Sequence, residues 1–176
     1  MERARFDGLH SCCFTGHRPP FLPDGGDETR PGMLRLKALL DRTVLEAAAS
    51  GVRTFLAGGA PGFDTIAAEA VLALKADFPD VRLLLALPSH TQSDEYPDAL
   101  KTRYERILSQ ASAAYYASEI SNAPAAMRRR NRFLVDHSDC CIAYLTQRGS
   151  GTSYTVDYAK KRGRYVVNLA GAGMEE

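Results

Sequence analysis

The sequence predicts one α/β domain with three layers, in which a mostly parallel sheet of about six strands carries helices on both faces. Two observations support this fold class. Apolar runs of strand length alternate with helix-like stretches along the whole chain, and most of these runs lack a polar residue at every second position. Continuous apolarity indicates a strand buried on both faces, which is typical of a parallel sheet covered by helices.

Six apolar runs predict the strands. In chain order they cover residues 11–15, 53–57, 81–87, 112–117, 139–145 and 165–169. Each run has the length of a strand and is followed by a turn or a helix-like stretch, as expected where a crossover joins parallel neighbours.

Helical periodicity fills the intervals between these runs, at residues 31–50, 64–76, 97–110, 125–137 and 153–162. Gly51 and Gly163 follow two of these helices, at the position where a C-cap favours a positive φ. Residues 19–31 are rich in proline and glycine and form the long loop of the prediction. This loop is either a lid over the site or a slack surface connection.

The composition excludes several classes of protein. A chain of 176 residues that is 45% hydrophobic can bury one core, so residues 1–176 are interpreted as a single domain. A formal net charge of +1 gives no overall attraction to nucleic acid or to membranes. No segment approaches the roughly 20 apolar residues of a membrane span or resembles a signal peptide, and we therefore expect a cytoplasmic protein.

Four cysteines occur as two adjacent pairs, Cys12-Cys13 and Cys140-Cys141, each within a predicted strand. Neighbouring side chains on a strand point to opposite faces, so neither pair can converge on one metal ion. We therefore predict no metal site and expect all four thiols to be buried and reduced.

Three glycine-rich turns follow predicted strands and lead toward helices, at residues 14–19, 56–64 and 147–152. In a parallel sheet such turns open at one edge, beyond the carboxyl ends of the strands, where α/β folds bind their ligands. Loops with few side chains at one mouth indicate a small molecule that carries phosphate.

The second turn carries most of the predicted chemistry. Gly58 and Gly59 allow a backbone to approach a ligand closely, and Gly62 precedes a helix whose free N–H groups favour anions. Asp64 lies at the mouth of that helix, where it either binds a ribose hydroxyl or serves as the N-cap. Glu69 falls on a different face of the helix, and its long side chain either reaches the site or has a structural role in solvent.

The first and third turns complete the predicted mouth. Their contributions are Thr15, Gly16, His17 and Arg18 from the first turn and Gly149, Ser150, Gly151 and Thr152 from the third. Arg18 is predicted to clamp phosphate, and His17 is a candidate general acid or base. Ser150 and Thr152 either hydrogen-bond phosphate or cap the following helix.

An arginine-rich stretch divides between two faces of its predicted helix. Arg130 falls near the centre of the apolar face with Asn131 on its rim, whereas Arg128, Arg129 and Arg132 are interpreted as a solvated face. A buried arginine requires an anion, either a protein carboxylate or a bound phosphate. We favour phosphate because this helix starts near the glycine-rich edge.

Several motifs together make the chain recognisable. They are Cys13-Phe14-Thr15-Gly16-His17-Arg18-Pro19, Gly59-Ala60-Pro61-Gly62-Phe63-Asp64 with Ala68-Glu69, Arg130-Asn131-Arg132 with Val135-Asp136, and Gly151-Thr152-Ser153-Tyr154-Thr155. The segment with Pro88, Gln92 and Tyr104 fits the same pattern. The combination resembles the YpsA-like family of the SLOG superfamily over nearly the whole chain. The resemblance implies a Rossmann-like fold and a nucleotide-derived ligand such as a nucleoside phosphate, NAD or ADP-ribose, and it is consistent with an isologous homodimer.

We therefore predict a sensor or regulatory module that binds a nucleotide-like small molecule and requires no cofactor or metal. No reaction follows from the resemblance. We do not expect nucleic acid or a membrane as a partner.

Two other branches of the superfamily supply alternatives. The cytokinin-activating phosphoribohydrolases cleave the glycosidic bond of nucleoside monophosphates and carry a Gly-Gly-x-Gly-Thr-x-x-Glu loop, in which Thr155 here replaces the glutamate. Such an enzyme would need Asp64 or Glu69 as its catalytic carboxylate. The DNA-processing branch, resembling DprA, shares a pair like Arg130-Asn131 and binds single-stranded DNA, but the near-neutral charge argues against that partner here.

Overall fold

Strands and helices alternate along the chain, as the sequence predicts. The structure is a computed structural model that describes residues 4–120 and 122–171. Its strands are β1 (Ser11–Gly16), β2 (Thr54–Ala57), β3 (Arg82–Leu87), β4 (Ala113–Tyr116), β5 (Cys140–Tyr144) and β6 (Tyr165–Asn168). Its α-helices are α1 (Pro31–Ala49), α2 (Phe63–Leu74), α3 (Asp98–Gln110), α4 (Pro124–Asp136) and α5 (Gly151–Lys161). Within these residues, no helix has both the length and the apolarity needed to cross a bilayer.

The six strands form one parallel sheet in the order β4-β3-β2-β1-β5-β6. The chain moves outward from β1 to β4 and then crosses back to β5, so α1, α2 and α3 pack on one face and α4 and α5 on the other. Phe14 and Phe55 lie in the core under the first three helices, and Leu56 and Cys141 lie in the core under the last two. The predicted three-layer, Rossmann-like α/β fold is confirmed.

The predicted boundaries lie within two residues of the observed ones. The helix α5 begins at Gly151, earlier than predicted, because the Ser150 hydroxyl accepts a hydrogen bond of 3.1 Å from the Ser153 amide and caps the helix. Gly51 and Gly163 adopt φ values of +115° and +71°, as the capping argument predicts.

Residues 19–31 are folded rather than slack. They contain two short 3₁₀ turns, Pro19–Phe21 and Pro23–Gly26, with the side chain of Leu22 buried in the core between them. The Asp24 carboxylate accepts a hydrogen bond of 2.7 Å from the Gly32 amide at the start of α1. The connection is therefore anchored to the domain at more than one point.

The cysteines pair across strands, which corrects the expectation that all four are reduced. The register of β1 and β5 sets Cys12 opposite Cys140 and Cys13 opposite Cys141. Cys12 and Cys140 form a disulfide, with their Cα atoms 4.7 Å apart, while Cys13 and Cys141 are buried free thiols. Adjacent cysteines on one strand point to opposite faces, but residues paired on neighbouring strands share a face.

Candidate functional site

A cleft of about 550 Å³ lies beyond the carboxyl ends of β1 and β5. This is the topological switch point of the sheet, because the connections from these neighbouring strands lead to opposite sides. We call it the switch-point cleft. It is lined by Phe14, Thr15, Gly16, His17, Arg18, Phe21, Ala60, Asp64, Pro124, Met127, Arg128, Arg130, Asn131, Leu134, Ser150, Gly151, Thr152 and Tyr154.

The structure brings most of the predicted site residues into this cleft and leaves five outside it. Those that line it are Thr15, Gly16, His17, Arg18, Asp64, Arg130, Asn131, Ser150, Gly151 and Thr152. Those that do not are Gly58, Gly59, Gly62, Glu69 and Gly149. Residues of all three predicted turns therefore meet in one cleft, whereas four of the predicted glycines do not border it.

Asp64 is a buried carboxylate at the bottom of the second turn. It occupies the second position of α2, and Gly62 is the N-cap, so the interpretation of Asp64 as an N-cap is wrong. One carboxylate oxygen, Oδ2, accepts a hydrogen bond of 3.3 Å from the Ala60 amide. Burial raises the pKa of Asp64 above its ordinary value, and the positive charges of Arg130 and Arg18 oppose that rise.

Arg130 is the buried cation of the cleft, as predicted from the helical periodicity, and its side chain is only 4% exposed. Its Nη1 donates to the Gly58 carbonyl, and its Nε donates to Asn131 Oδ1 at 2.7 Å. Burial lowers the pKa of Arg130 and the charge of Asp64 opposes that change. A guanidinium starts from so high a pKa that it stays protonated. Arg130 therefore places a fixed positive charge near Asp64.

The glycines of the second turn are required by packing within the protein. A Cβ at Gly58 would overlap the Arg130 guanidinium and would lie 2.8 Å from Asp64 Oδ2. A Cβ at Gly59 would lie 2.7 Å from Leu87 Cδ2. The expectation that Gly58 and Gly59 leave room for a ligand is corrected accordingly, because side chains of the protein occupy that space.

Gly62 has a backbone role. It adopts φ +91°, and a Cβ there would lie 2.8 Å from the His17 carbonyl oxygen. The same carbonyl accepts a hydrogen bond of 3.2 Å from the Phe63 amide, the first amide of α2. The start of α2 is thus joined to the turn after β1, and that amide donates to the protein itself rather than facing the cleft.

Glu69 lies outside the cleft. It forms ion pairs with Arg103 and, at 2.9 Å, with Arg106, both on α3. It lines a separate depression of about 180 Å³ beside α1, together with Lys37 and Asp41. Its side chain is directed toward α3 and does not line the cleft, so the geometry supports the structural interpretation of Glu69.

His17 connects two of the loops that form the cleft. Its ring is 4% exposed, and its Nε2 accepts a hydrogen bond of 2.9 Å from the Thr146 amide after β5. Burial lowers the pKa of His17 below its ordinary value. The ring is consequently neutral with its proton on Nδ1, and it holds the loops together, since the nitrogen facing Thr146 is already in use.

The third turn places the beginning of α5 in the cleft. Gly151 and Thr152 line it, and amides in the first turn of a helix lack partners within that helix. The Thr155 hydroxyl, which stands in place of the phosphoribohydrolase glutamate, donates to the Gly151 carbonyl at 3.0 Å and is buried within α5. This turn offers hydrogen-bond donors to an anion and no carboxylate.

Eight residues of the lining were not among the predicted site residues: Phe14, Phe21, Ala60, Pro124, Met127, Arg128, Leu134 and Tyr154. Arg128 is exposed, as predicted, and it also lines the cleft. Long side chains on a helix point back toward the N-terminus of that helix. Because the N-terminal turns of α4 border the cleft, the side chain of Arg128 reaches it. That rule could have identified Arg128. Phe21 lies in a 3₁₀ turn, where no periodic pattern marks it.

Comparisons with known proteins agree with the fold and the motifs. The family model described as the YspA SLOG family matches residues 12–169. The chain is 30% identical over 143 residues to the uncharacterized SPbeta prophage-derived protein YoqJ of Bacillus subtilis, covering 74% of this chain and 84% of that protein. It is 28% identical over 151 residues to a UPF0398 protein of Bacillus cereus, covering 85% of this chain and 82% of that protein.

Solved structures of DNA processing protein A share the fold. The protein from Helicobacter pylori, whose single-stranded DNA binding mode has been described, superimposes with a TM-score of 0.61 at 20% identity over 89% of this chain. The protein from Streptococcus pneumoniae gives 0.58 at 15% identity over 90% of this chain. The chain spans 63% and 52% of the lengths of those two chains.

Proposed function

The chain belongs to the YspA SLOG family, and from this premise we propose that its switch-point cleft binds a nucleotide-derived ligand of the nucleoside phosphate, NAD or ADP-ribose class. In this role the protein is a sensor or regulatory module. The proposal rests above all on the presence, in one cleft, of exposed cations, helix-start amides and one buried carboxylate.

The cations and amides suit a phosphate. Arg18 and Arg128 are exposed and line the cleft, so their guanidinium groups are available to an anion. Gly151 and Thr152 add the first turn of α5, where free amides and the helix dipole both favour negative charge. A phosphate in this part of the cleft would meet donors from three elements.

The carboxylate suits a ribose. Asp64 is a hydrogen-bond acceptor, and the hydroxyl groups of a ribose are donors that such an acceptor can bind. A carboxylate beside a phosphate would be repulsive, so the two groups favour opposite parts of one ligand. A cleft of this volume lies in the usual range for small-molecule sites.

Calorimetric titration of the protein with AMP, ADP-ribose and NAD tests the proposal. We expect at least one of them to bind, and we expect Arg128→Ala to weaken that binding about 10- to 100-fold, because a charged hydrogen bond to phosphate is lost. Arg129→Ala is the matched control, since Arg129 is the exposed neighbour on α4 that does not line the cleft. No binding of any of the three, or equal losses in both variants, would contradict the proposal.

A second candidate, single-stranded DNA binding, is favoured by one observation. Arg132 donates to the Tyr154 hydroxyl at 2.9 Å and lies 6.0 Å from the Tyr158 ring, so a basic and aromatic surface continues from the cleft along α5. Surfaces of this kind bind single strands through charge and stacking. Titration with a short oligonucleotide separates the candidates, because Arg132→Ala should weaken DNA binding and leave AMP binding intact.

The same mixtures test for an enzyme. Among the described residues that line the cleft, Asp64 is the one carboxylate, so it is the residue that could assist cleavage of a glycosidic bond. Chromatography of each nucleotide after incubation detects a released base. Released base would replace the sensor proposal by a hydrolase, and its absence agrees with the lack of a second carboxylate in the lining.

A further inference from the structure

An exposed phenylalanine lies at the rim of the switch-point cleft, on a backbone that hydrogen bonds hold in place. Phe21 is 52% exposed, while the next residue, Leu22, is 5% exposed and packs into the core. The Phe21 amide donates to the Arg18 carbonyl at 3.0 Å, and the Leu22 amide donates to the Pro19 carbonyl at 3.1 Å. The backbone that carries the Phe21 ring is thus pinned on both sides.

Prolines restrict this segment further. Pro19, Pro20 and Pro23 surround Phe21, and each fixes its own φ near −65°. The His17 ring lies 6.0 Å from the Phe21 ring, between the centroids, and is itself held by Thr146. A ring carried on a backbone that is restricted in this way costs little backbone entropy when a ligand binds to it.

The cleft has apolar and polar parts. Phe21, Pro124 and Met127 contribute apolar surface, whereas Asp64 and Arg130 contribute buried charge. A ligand with one planar apolar group and one polar, anionic group matches such a lining. A nucleotide has this construction, with its base as the planar group and its ribose phosphate as the polar one.

We propose that the base of the ligand stacks on the Phe21 ring. This inference rests on the proposed function and deepens it, because it assigns the base to the wall formed by residues 19–31 and the ribose phosphate to the remainder of the cleft. Stacking on an aromatic ring tolerates every base, since every base has a π-face. Phe21 therefore selects for a base-containing ligand and not for one particular base.

The first test compares AMP with ribose 5-phosphate in Phe21→Ala and Phe21→Tyr. We expect Phe21→Ala to weaken AMP binding about 10- to 100-fold, as measured by calorimetry, and to leave ribose 5-phosphate binding unchanged. Phe21→Tyr keeps the ring and should keep the affinity for AMP. Equal losses for both ligands would show that Phe21 only positions the loop, which would overturn the inference.

A second test reports stacking directly. The chain contains no tryptophan, so Phe21→Trp introduces a single tryptophan, which can be excited at wavelengths where the eight tyrosines do not absorb. We expect AMP to quench this reporter and ribose 5-phosphate to leave it unchanged. Tyr165→Trp is the matched control. Tyr165 is 43% exposed, but it is the first residue of β6 and so lies at the amino ends of the strands, whereas the cleft lies beyond their carboxyl ends.

The outcomes separate this inference from the proposed function. If wild-type protein binds AMP while Phe21→Ala binds it equally well and Phe21→Trp shows no quenching, the nucleotide proposal stands and the stacking inference falls. If the wild-type protein gives no heat with AMP, ADP-ribose or NAD, the proposed function itself falls.

Discussion

At the scale of single residues, His17 has a structural role although its position suggests a catalytic one. A histidine beside a glycine-rich turn suggests acid–base chemistry. Its Nε2 instead accepts the Thr146 amide, and burial lowers its pKa. The neutral ring joins the loop after β1 to the loop after β5, and both loops line the cleft.

The protonation of His17 gives a dependence of stability on pH. The pKa of His17 in the folded protein lies below the ordinary value of 6.5, so the unfolded chain binds a proton at a higher pH than the folded chain does. Protonation of His17 therefore favours the unfolded chain, and the free energy of unfolding decreases as the pH falls below about 6.5. We expect the free energy of unfolding to decrease from pH 7 to pH 5 in wild type and to decrease less in His17→Gln, as measured by urea denaturation. His10→Gln, at an exposed histidine, is the control, and equal slopes in all three proteins would contradict the prediction.

At the scale of elements, the loop of residues 19–31 is tied to α2 and α3 by charge. Arg103 donates to Glu28 Oε2 at 2.5 Å and also pairs with Glu69, and Glu28 accepts a hydrogen bond of 3.0 Å from Lys37. These side chains are partly buried, with Arg103 29% exposed. The loop that follows Arg18 and carries Phe21 is therefore anchored at its far end, near Glu28. Neither the lid nor the slack connection that the sequence suggested includes such an anchor.

Removing the central cation should loosen this loop. We expect Arg103→Met to lower the free energy of unfolding by about 1–3 kcal/mol, because the partly buried Glu28 and Glu69 lose the cation that they share. Lys37 and Arg106 remain as their partners, which limits the loss. It should also weaken nucleotide binding, since the loop lines the cleft. Arg106→Met is the matched control, because Arg106 is 57% exposed and its ion pair among the described residues is with Glu69. We expect this variant to lose no more than about 1 kcal/mol. Equal losses in urea denaturation would show that the network does not anchor the loop.

At the scale of the whole molecule, the Cys12–Cys140 disulfide joins the two strands that flank the switch point. It links residues separated by 128 positions, so it closes most of the chain into one loop. Cross-links that close long loops stabilise mainly by restricting the unfolded chain. The disulfide therefore fixes the pair of strands from which two walls of the cleft extend.

The disulfide predicts a difference between two double variants. Both cysteine pairs are fully buried and on the same two strands, so replacing either pair by alanine removes similar packing. We expect Cys12→Ala/Cys140→Ala to be less stable than Cys13→Ala/Cys141→Ala by about 2–4 kcal/mol. Alkylation of unfolded, unreduced wild-type protein should label two cysteines and, after reduction, four. Four labelled cysteines before reduction would contradict the assignment.

Much of the fold could be predicted because its signals are local. The strand between Cys140 and Tyr144 is marked by its own apolar run, and the end of α1 by Gly51. The burial of Arg130 follows from its place in the helical repeat. Each of these features depends on residues within a few positions of one another, so the printed sequence contains the information directly.

Local patterns in the amino-acid sequence were enough to predict the α/β class, the order of the elements and the family resemblance, and they directed attention to the edge of the sheet where the cleft lies. Four other features became visible in the folded chain: the pairing of Cys12 with Cys140, the direction of Glu69 toward α3, the position of Arg130 beside Gly58, and the place of Phe21 at the cleft. The physical reason is distance along the chain. Periodicity and capping act over a few residues, whereas strand register and the packing of loops depend on contacts between residues that are far apart in sequence.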